Sequence, residues 1–176
     1  KGHGRGYRTI VIHDLHDRVV QRGAVQILQP LLDPLFDGNS FGGRPSRGPQ
    51  RALAWAETIH KHTGRVILIS EDLRSAFDEV PVQRLMDVVR RHVPSTEMVK
   101  LLRAMIGEQR KGIQQGAALS ALLLNLYLDH FLDRVWRRSH PNIPLLRYLD
   151  DLLILAGPDD DAMQLYRDLK WIICQA

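Results

Sequence analysis

Asp150 and Asp151 stand side by side in LLRYLDDLLIL, with apolar residues on both sides of them. Two adjacent ionised carboxylates inside an apolar strand pair are costly unless something positive compensates them. A divalent cation is the natural compensator. Hard cations such as magnesium take carboxylate oxygens and keep waters for substrate phosphates, so this pair calls for a third acid from elsewhere in the chain. Asp72 is the best supplier, because it closes the run Val66 to Ile69 followed by Glu71 and Asp72, which reads as a buried strand delivering acids at its C-terminal end. The chemistry would be metal-assisted phosphoryl transfer. A blander reading stands beside it, in which the acid pair makes a solvated hairpin turn and Asp72 caps a loop.

These acids need elements to position them. Leu145 to Leu155 suggests a tight hairpin with the acid pair at its tip. Ala117 to Arg138 carries Leu119, Leu122, Leu123, Leu126, Phe131 and Val135 at helical spacing and is expected to be the longest helix, part of the core. Upstream, Tyr7 to Ile12 alternates like a strand, and Arg18 to Leu32 repeats like a helix. Asp37 to Pro49 is rich in Gly, Pro, Ser and Asn and reads as an ordered loop before a second helix, Pro49 to His62. Pro81 can open a helix running to about His92, Ser95 can cap another ending near Gly107, and Pro158 to Asp161 would start a last helix.

The 176 residues suit one domain with a single sizeable core, and 44% apolar with 25% charged residues is a globular composition. Unbroken apolar runs such as Ala121 to Leu124 are far short of the ~20 residues of a membrane helix. No membrane partner is expected. The single cysteine, Cys174, cannot form an internal disulfide, which with the absence of a secretory signal fits a reducing, cytoplasmic setting. The histidines come without further cysteines or an HExxH pattern, so zinc is not expected. A net charge of +4 permits a polyanionic partner, and its distribution says more: Lys1, Arg5, Arg8, Arg18 and Arg22 face only Asp14 and Asp17, and Arg44, Arg47 and Arg51 follow with no acid among them.

Five blocks, in order, resemble a known family. YRTIVIHDLHDRVVQ is similar to the first block of bacterial reverse transcriptases of the group II intron and retron type, and FGGRPSRGPQRAL to the second. EDLRSAFDEVP resembles the block with the first catalytic Asp, GIQQGAALSALLLNLYLD the Pro-Gln-Gly helix block, and RYLDDLLIL the Tyr-x-Asp-Asp block. The chain departs from the family pattern at Gly43, Gln114, Ala121 and Leu149.

The resemblance implies an α+β fold, the right-hand polymerase palm, in which an antiparallel sheet packs on helices with a partial fingers subdomain. Residues 1–64 would be fingers and 65–176 palm, ending before the primer grip and thumb of a longer polypeptide. The implied activity is RNA-directed DNA synthesis on an RNA template from a DNA or RNA primer, using dNTPs, in a bacterial cytoplasm, with intron RNA or flanking domains as further partners; this stretch by itself would be weakly active or inactive. A non-catalytic RNA-binding palm and an RNA-dependent RNA polymerase are the alternatives. By the same resemblance Asp72, Asp150 and Asp151, with the backbone carbonyl of Leu73, would hold two Mg2+ ions, Mn2+ being the alternative metal. Arg8 and Arg18 would clamp the incoming triphosphate, Phe77 would lie under its sugar and exclude a 2′-hydroxyl, and Gln115 and Gly116 would touch the nucleotide at the start of the long helix. Each has a plain structural alternative: solvated arginines, a core phenylalanine, a helix-capping glutamine. Arg44, Arg47 and Arg51 would meet template phosphates or else rigidify their own loop through carbonyl contacts.

Overall fold

The computed structural model describes residues 14–176. The strand expected over Tyr7 to Ile12, and Arg8 with it, lie outside the described residues. Helix α1 spans Leu15–Leu32 and is followed by a single 3-10 turn, Asp33–Leu35. The Gly- and Pro-rich loop leads into α2, Pro49–Thr63, which opens on its proline and ends on Gly64 in the left-handed region, as a helix C-terminus favours. Strand β1, Ile67–Asp72, precedes the short α3, Ala76–Glu79, then α4, Val82–His92, and α5, Thr96–Ile106. Ser95 caps α5 as its position suggests, its hydroxyl accepting from the Met98 N–H at 3.1 Å.

The long helix is present but not uniform. It runs as α6, Ala118–Leu128, then as a π-helical turn, Asp129–Asp133, then as α7, Arg134–Ser139. Strands β2, Leu145–Tyr148, and β3, Asp151–Ala156, form the expected hairpin, and α8, Ala162–Gln175, follows from its cap at Asp161.

The three strands form one antiparallel sheet in the order β1-β3-β2. Because strand side chains alternate between faces, the register sorts the sheet cleanly. Ile67, Ile69, Leu152, Ile154 and Ala156 point into the main core, where α8 packs against β1. Leu68, Ser70, Asp72, Asp151, Leu153, Leu155, Leu146 and Tyr148 take the other face, where Phe41 and Ile59 of α2 and its preceding loop cover only the β2–β3 side. This is the expected α+β arrangement. The sequence expectation of a buried β1 is corrected, however: its burial alternates, and Leu68 is 63% exposed at the sheet edge. An unbroken apolar run reads as buried on both faces, but among the described residues no helix covers its outer one.

One polar group sits within the core face. Arg147 of β2 is 1% exposed, and its guanidinium donates to both Asp133 carboxylate oxygens at 2.7–3.0 Å and to Asn125 Oδ1 at 2.7 Å. Burial pushes the Asp133 carboxyl up, and the guanidinium opposes that rise. Residues eight apart on an α-helix diverge by about 80°, so Asn125 and Asp133 would not share one partner on a regular helix. The wider π turn between them removes much of that divergence.

Breaking such a buried pair leaves an uncompensated charge. Asp133→Ala is therefore expected to lower unfolding stability by about 3–5 kcal/mol in a urea titration. The same change at the exposed pair Arg90–Asp87, Asp87→Ala, should cost no more than about 1 kcal/mol.

Candidate functional site

The hairpin between β2 and β3 has a two-residue turn, Leu149–Asp150, since Tyr148 pairs with Asp151. Leu149 has φ +55°, and Asp150 does not share that sign. Positive φ at the first turn residue alone is the pattern of a type II′ hairpin, whose first position ordinarily takes glycine. A leucine there must be held by its surroundings. Arg147 donates from its guanidinium to the Leu149 carbonyl at 3.3 Å, and the loop before α2 closes over the tip. A Cβ built at Gly42 would stand 2.5 Å from the Leu149 nitrogen and 2.9 Å from the Tyr148 carbonyl carbon, so only glycine fits between loop and hairpin. Asn125 donates to the Gly42 carbonyl at 2.8 Å, and the Phe41 N–H and Asn39 carbonyl bond the backbone of Arg147 at 2.8 and 2.9 Å. Asn125 and Arg147 thus hold the loop and the acid tip as one unit.

On this tip the acids converge. Asp72 is the register partner of Asp151, so the two occupy directly opposed positions on the face away from the main core. Cross-strand partners bring their Cβ atoms to roughly 4.5–5.5 Å. The Leu73 N–H donates to the Asp150 carbonyl at 3.0 Å, which ties the end of β1 to the turn. The three residues proposed from sequence are therefore neighbours. Their setting differs from the expected one in one respect: Asp72 and Asp151 are exposed and Asp150 half-buried, so the pair is not enclosed in an apolar strand pair. Alternation sends Leu152 into the core and leaves Asp151 outside it.

Burial nonetheless pushes the Asp151 carboxyl above its ordinary value, and the charges of Asp150 and Asp72 push it further. Among the described residues no hydrogen bond or ion pair engages the carboxylates of Asp72, Asp150 or Asp151. Equally, among the described residues no three His, Cys, Asp or Glu side chains are already gathered to hold a metal ion as they stand. The donor set fits a hard dication: carboxylates without a cationic partner, one of them resisting ionisation beside the other two, and the Leu73 carbonyl, which accepts only the Ala76 N–H at 3.2 Å.

The remaining sequence candidates fall in different places. Phe77 lies in α3, 9% exposed and within the main core, which is the structural alternative weighed for it. Gln115 and Gly116 form the turn before α6, with Gly116 at φ +101°, and no side chain caps that helix, so the capping alternative for Gln115 does not hold. Arg18 is exposed on α1.

The three loop arginines separate. Arg44 is 7% exposed, and its guanidinium makes bonds of 2.7–3.2 Å to the Asp33 carboxylate and to the carbonyls of Asp33, Asp37 and Ser40. Its donors are consumed within the loop, so the expected phosphate contact by Arg44 gives way to the structural role. Arg47 is half-buried over the Phe41 ring and donates to the Gly38 carbonyl at 2.5 Å, and Arg51 is exposed in the first turn of α2. Sequence reasoning passed over Arg147, Asp133 and Gly42. A lone arginine in an otherwise apolar strand is the signal that could have found the first.

Comparison with known proteins agrees with the five blocks. Residues 1–173 match the family model described as reverse transcriptase (RNA-dependent DNA polymerase). Protein YkfC of Escherichia coli is 30% identical over 137 residues, covering 70% of this chain and 36% of its own length. The group II intron-encoded protein LtrA of Lactococcus lactis is 27% identical over 145 residues, 76% of this chain and 24% of LtrA, so the chain spans only about a quarter to a third of these relatives. In fold, the chain superposes on an apo telomerase from Candida tropicalis with a TM-score of 0.62 at 13% identity, over 84% of this chain and 36% of the telomerase chain. The chain belongs to the reverse transcriptase family.

Proposed function

We propose that this chain carries the nucleotidyl-transfer site of an RNA-directed DNA polymerase, with Asp72, Asp150 and Asp151 as its catalytic carboxylates. The observation that carries this reading is the opposed register of Asp72 and Asp151 at the tip of a hairpin that also bears Asp150. The three carboxylates and the Leu73 carbonyl would hold two Mg2+ ions, with Mn2+ as a substitute, which when bound activate a primer 3′-hydroxyl and neutralise the charge of the leaving pyrophosphate. The network of Arg147, Asp133 and Asn125 orients the tip, and Gly42 lets the loop approach it. Residues 1–64 act as fingers and 65–176 as palm. Arg8 and Arg18 are the basic groups for the triphosphate, and Gln115 and Gly116 face the nucleotide from the turn before α6. Arg47 and Arg51 contact template phosphates. An RNA template, a primer and dNTPs are the substrates, and the intron-encoded relative supports an intron RNA as one such template.

Metal binding can be read without turnover. The raised Asp151 carboxyl means that the fold binds a proton more tightly there than the unfolded chain does. Its contribution to stability is therefore present at low pH and lost as pH rises through the carboxylate range, unless a dication replaces the proton. Added Mg2+ should raise Tm at pH 7.5 and have little effect at pH 4. The double change Asp150→Asn with Asp151→Asn should abolish that gain and reduce primer extension by the whole protein at least 10³-fold, on the order expected when a charge-stabilising catalytic group is lost. Extension that survives the double change would overturn the catalytic reading.

Sugar selection tests Phe77. Phe77→Val should raise the ratio of ribonucleotide to deoxyribonucleotide kcat/KM at least tenfold if the ring borders the sugar. The ratio is taken within one preparation, so a loss of folded protein cancels. An unchanged ratio would leave Phe77 as core alone.

For the arginines, Arg47→Gln with Arg51→Gln should flatten the slope of log affinity against log salt for a single-stranded template by about 1.4, at 0.7 per phosphate. Arg44→Gln should lower Tm and leave the slope unchanged, because its bonds are internal.

A further inference from the structure

A second cluster of charge lies outside the acid site, where the last turn of α4 meets the π turn. Arg91 donates from its guanidinium to His130 Nε2 across a long 3.4 Å contact. Since arginine can only donate, Nε2 is the acceptor and the imidazole proton sits on Nδ1. That nitrogen is buried with no hydrogen-bond partner among the described residues. His92 and Arg134 complete the group, and burial together with the neighbouring guanidiniums lowers both imidazoles below their ordinary value.

The nearby carboxylates are already paired, one of them with Arg134 of this group. Asp129 takes the Arg134 Nε–H at 2.7 Å and the Asp37 N–H at 2.9 Å, and Asp87 takes Arg90 at 2.7 Å. Among the described residues, Asp129 is the acid whose charge opposes the lowering of His92 and His130; Arg91, Arg134 and, for His130, His92 act the other way. Arg134 is thus paired with Asp129, whereas among the described residues Arg91 and the two imidazoles have no carboxylate partner, and Arg91 and His130 share only their long contact.

We propose that Arg91 and His130, flanked by His92 and Arg134, form a phosphate-binding site that takes up a proton as it binds, and that its occupant is a backbone phosphate of the nucleic acid. A phosphate oxygen inserted between Arg91 and His130 replaces the long contact with two charge-assisted hydrogen bonds, one from the guanidinium and one from Nε2 once the ring is protonated. The site is separate from the catalytic acids and would hold a strand, or a fold of it, beyond the template groove. Only the identity of the occupant rests on the proposed polymerase function; the phosphate chemistry does not.

The test follows the ring resonances of His92 and His130 by NMR across pH 5 to 8, alone, with inorganic phosphate, and with a single-stranded RNA oligonucleotide. Phosphate and RNA should each raise the pKa of His130 in the natural chain, and Arg91→Gln should cancel the rise while Arg91→Lys keeps part of it. RNA affinity should weaken by up to about tenfold per pH unit as pH rises between the free and bound pKa values. Arg91→Gln should flatten that dependence and lower the salt slope by about 0.7. A His130 resonance indifferent to phosphate and RNA alike would overturn the site. A response to phosphate with RNA affinity independent of pH would overturn the nucleic-acid occupant. Loss of extension on Asp150→Asn bears on the catalytic reading and leaves both of these outcomes standing.

Discussion

The buried pair between Arg147 and Asp133 is the contact on which the rest of the arrangement depends. It is made on the core face of β2, in a position that a sheet-on-helix fold would ordinarily give to an aliphatic residue, and it is satisfied only because the long helix widens into a π turn that brings Asp133 to the same partner as Asn125. Through the same Nη1 that donates to Asn125, Arg147 also reaches the Leu149 carbonyl, and through Asn125 the pair reaches the Gly42 carbonyl. A strained hairpin tip, a close-packed loop and an irregular helix are thus three parts of one polar unit. Such a unit contributes little net stability when whole, because the desolvation of both ions offsets much of their attraction. Its effect is to leave the acid-bearing tip one arrangement.

The sheet adds a division of labour by alternation alone. On β3, Leu152 and Ile154 anchor the strand in the core while Asp151 and Leu153 face outward, so the acid-bearing face and the folding face belong to the same six residues. The acids can crowd because they sit at the open end of that outer face. Their mutual repulsion is relieved by solvent, and among the described residues no cationic side chain pairs with them.

Much of this was legible in the sequence, for physical reasons that differ from element to element. Periodicity located α1, α2, α4 and α5 nearly to their ends, since capping residues such as Ser95 and Pro49 act locally. The hairpin and its acids were legible because an acid pair inside an apolar stretch has few other uses. The exposure of β1 was not, because an apolar run looks the same whether one face or two are covered, and what covers Leu68 is a matter of tertiary layout. The role of Arg44 was open for a related reason: its composition advertises phosphate binding, while its partners, the carbonyls of its own loop, carry no sequence signature. Asn125 was visible only as a break in an apolar helix. The π turn has no sequence mark at all, and with it went the pairing of Asp133 with Arg147.

The loop over the hairpin tip carries two adjacent glycines whose freedom to vary is unequal. At position 43 the space is bounded by the side chains of Ala121, Leu149 and Asn125, with a φ of +67°, so a larger residue there could be accommodated by trimming a neighbour and accepting a backbone penalty of about 1–2 kcal/mol. At position 42 the obstruction is the main chain of Tyr148 and Leu149 themselves, and no change of side chain on the hairpin can move it. Diversifying this loop therefore has a hard floor and a soft wall one residue apart: any lineage or library that loses the first glycine must open the acid tip, whereas one that loses the second can repair it elsewhere.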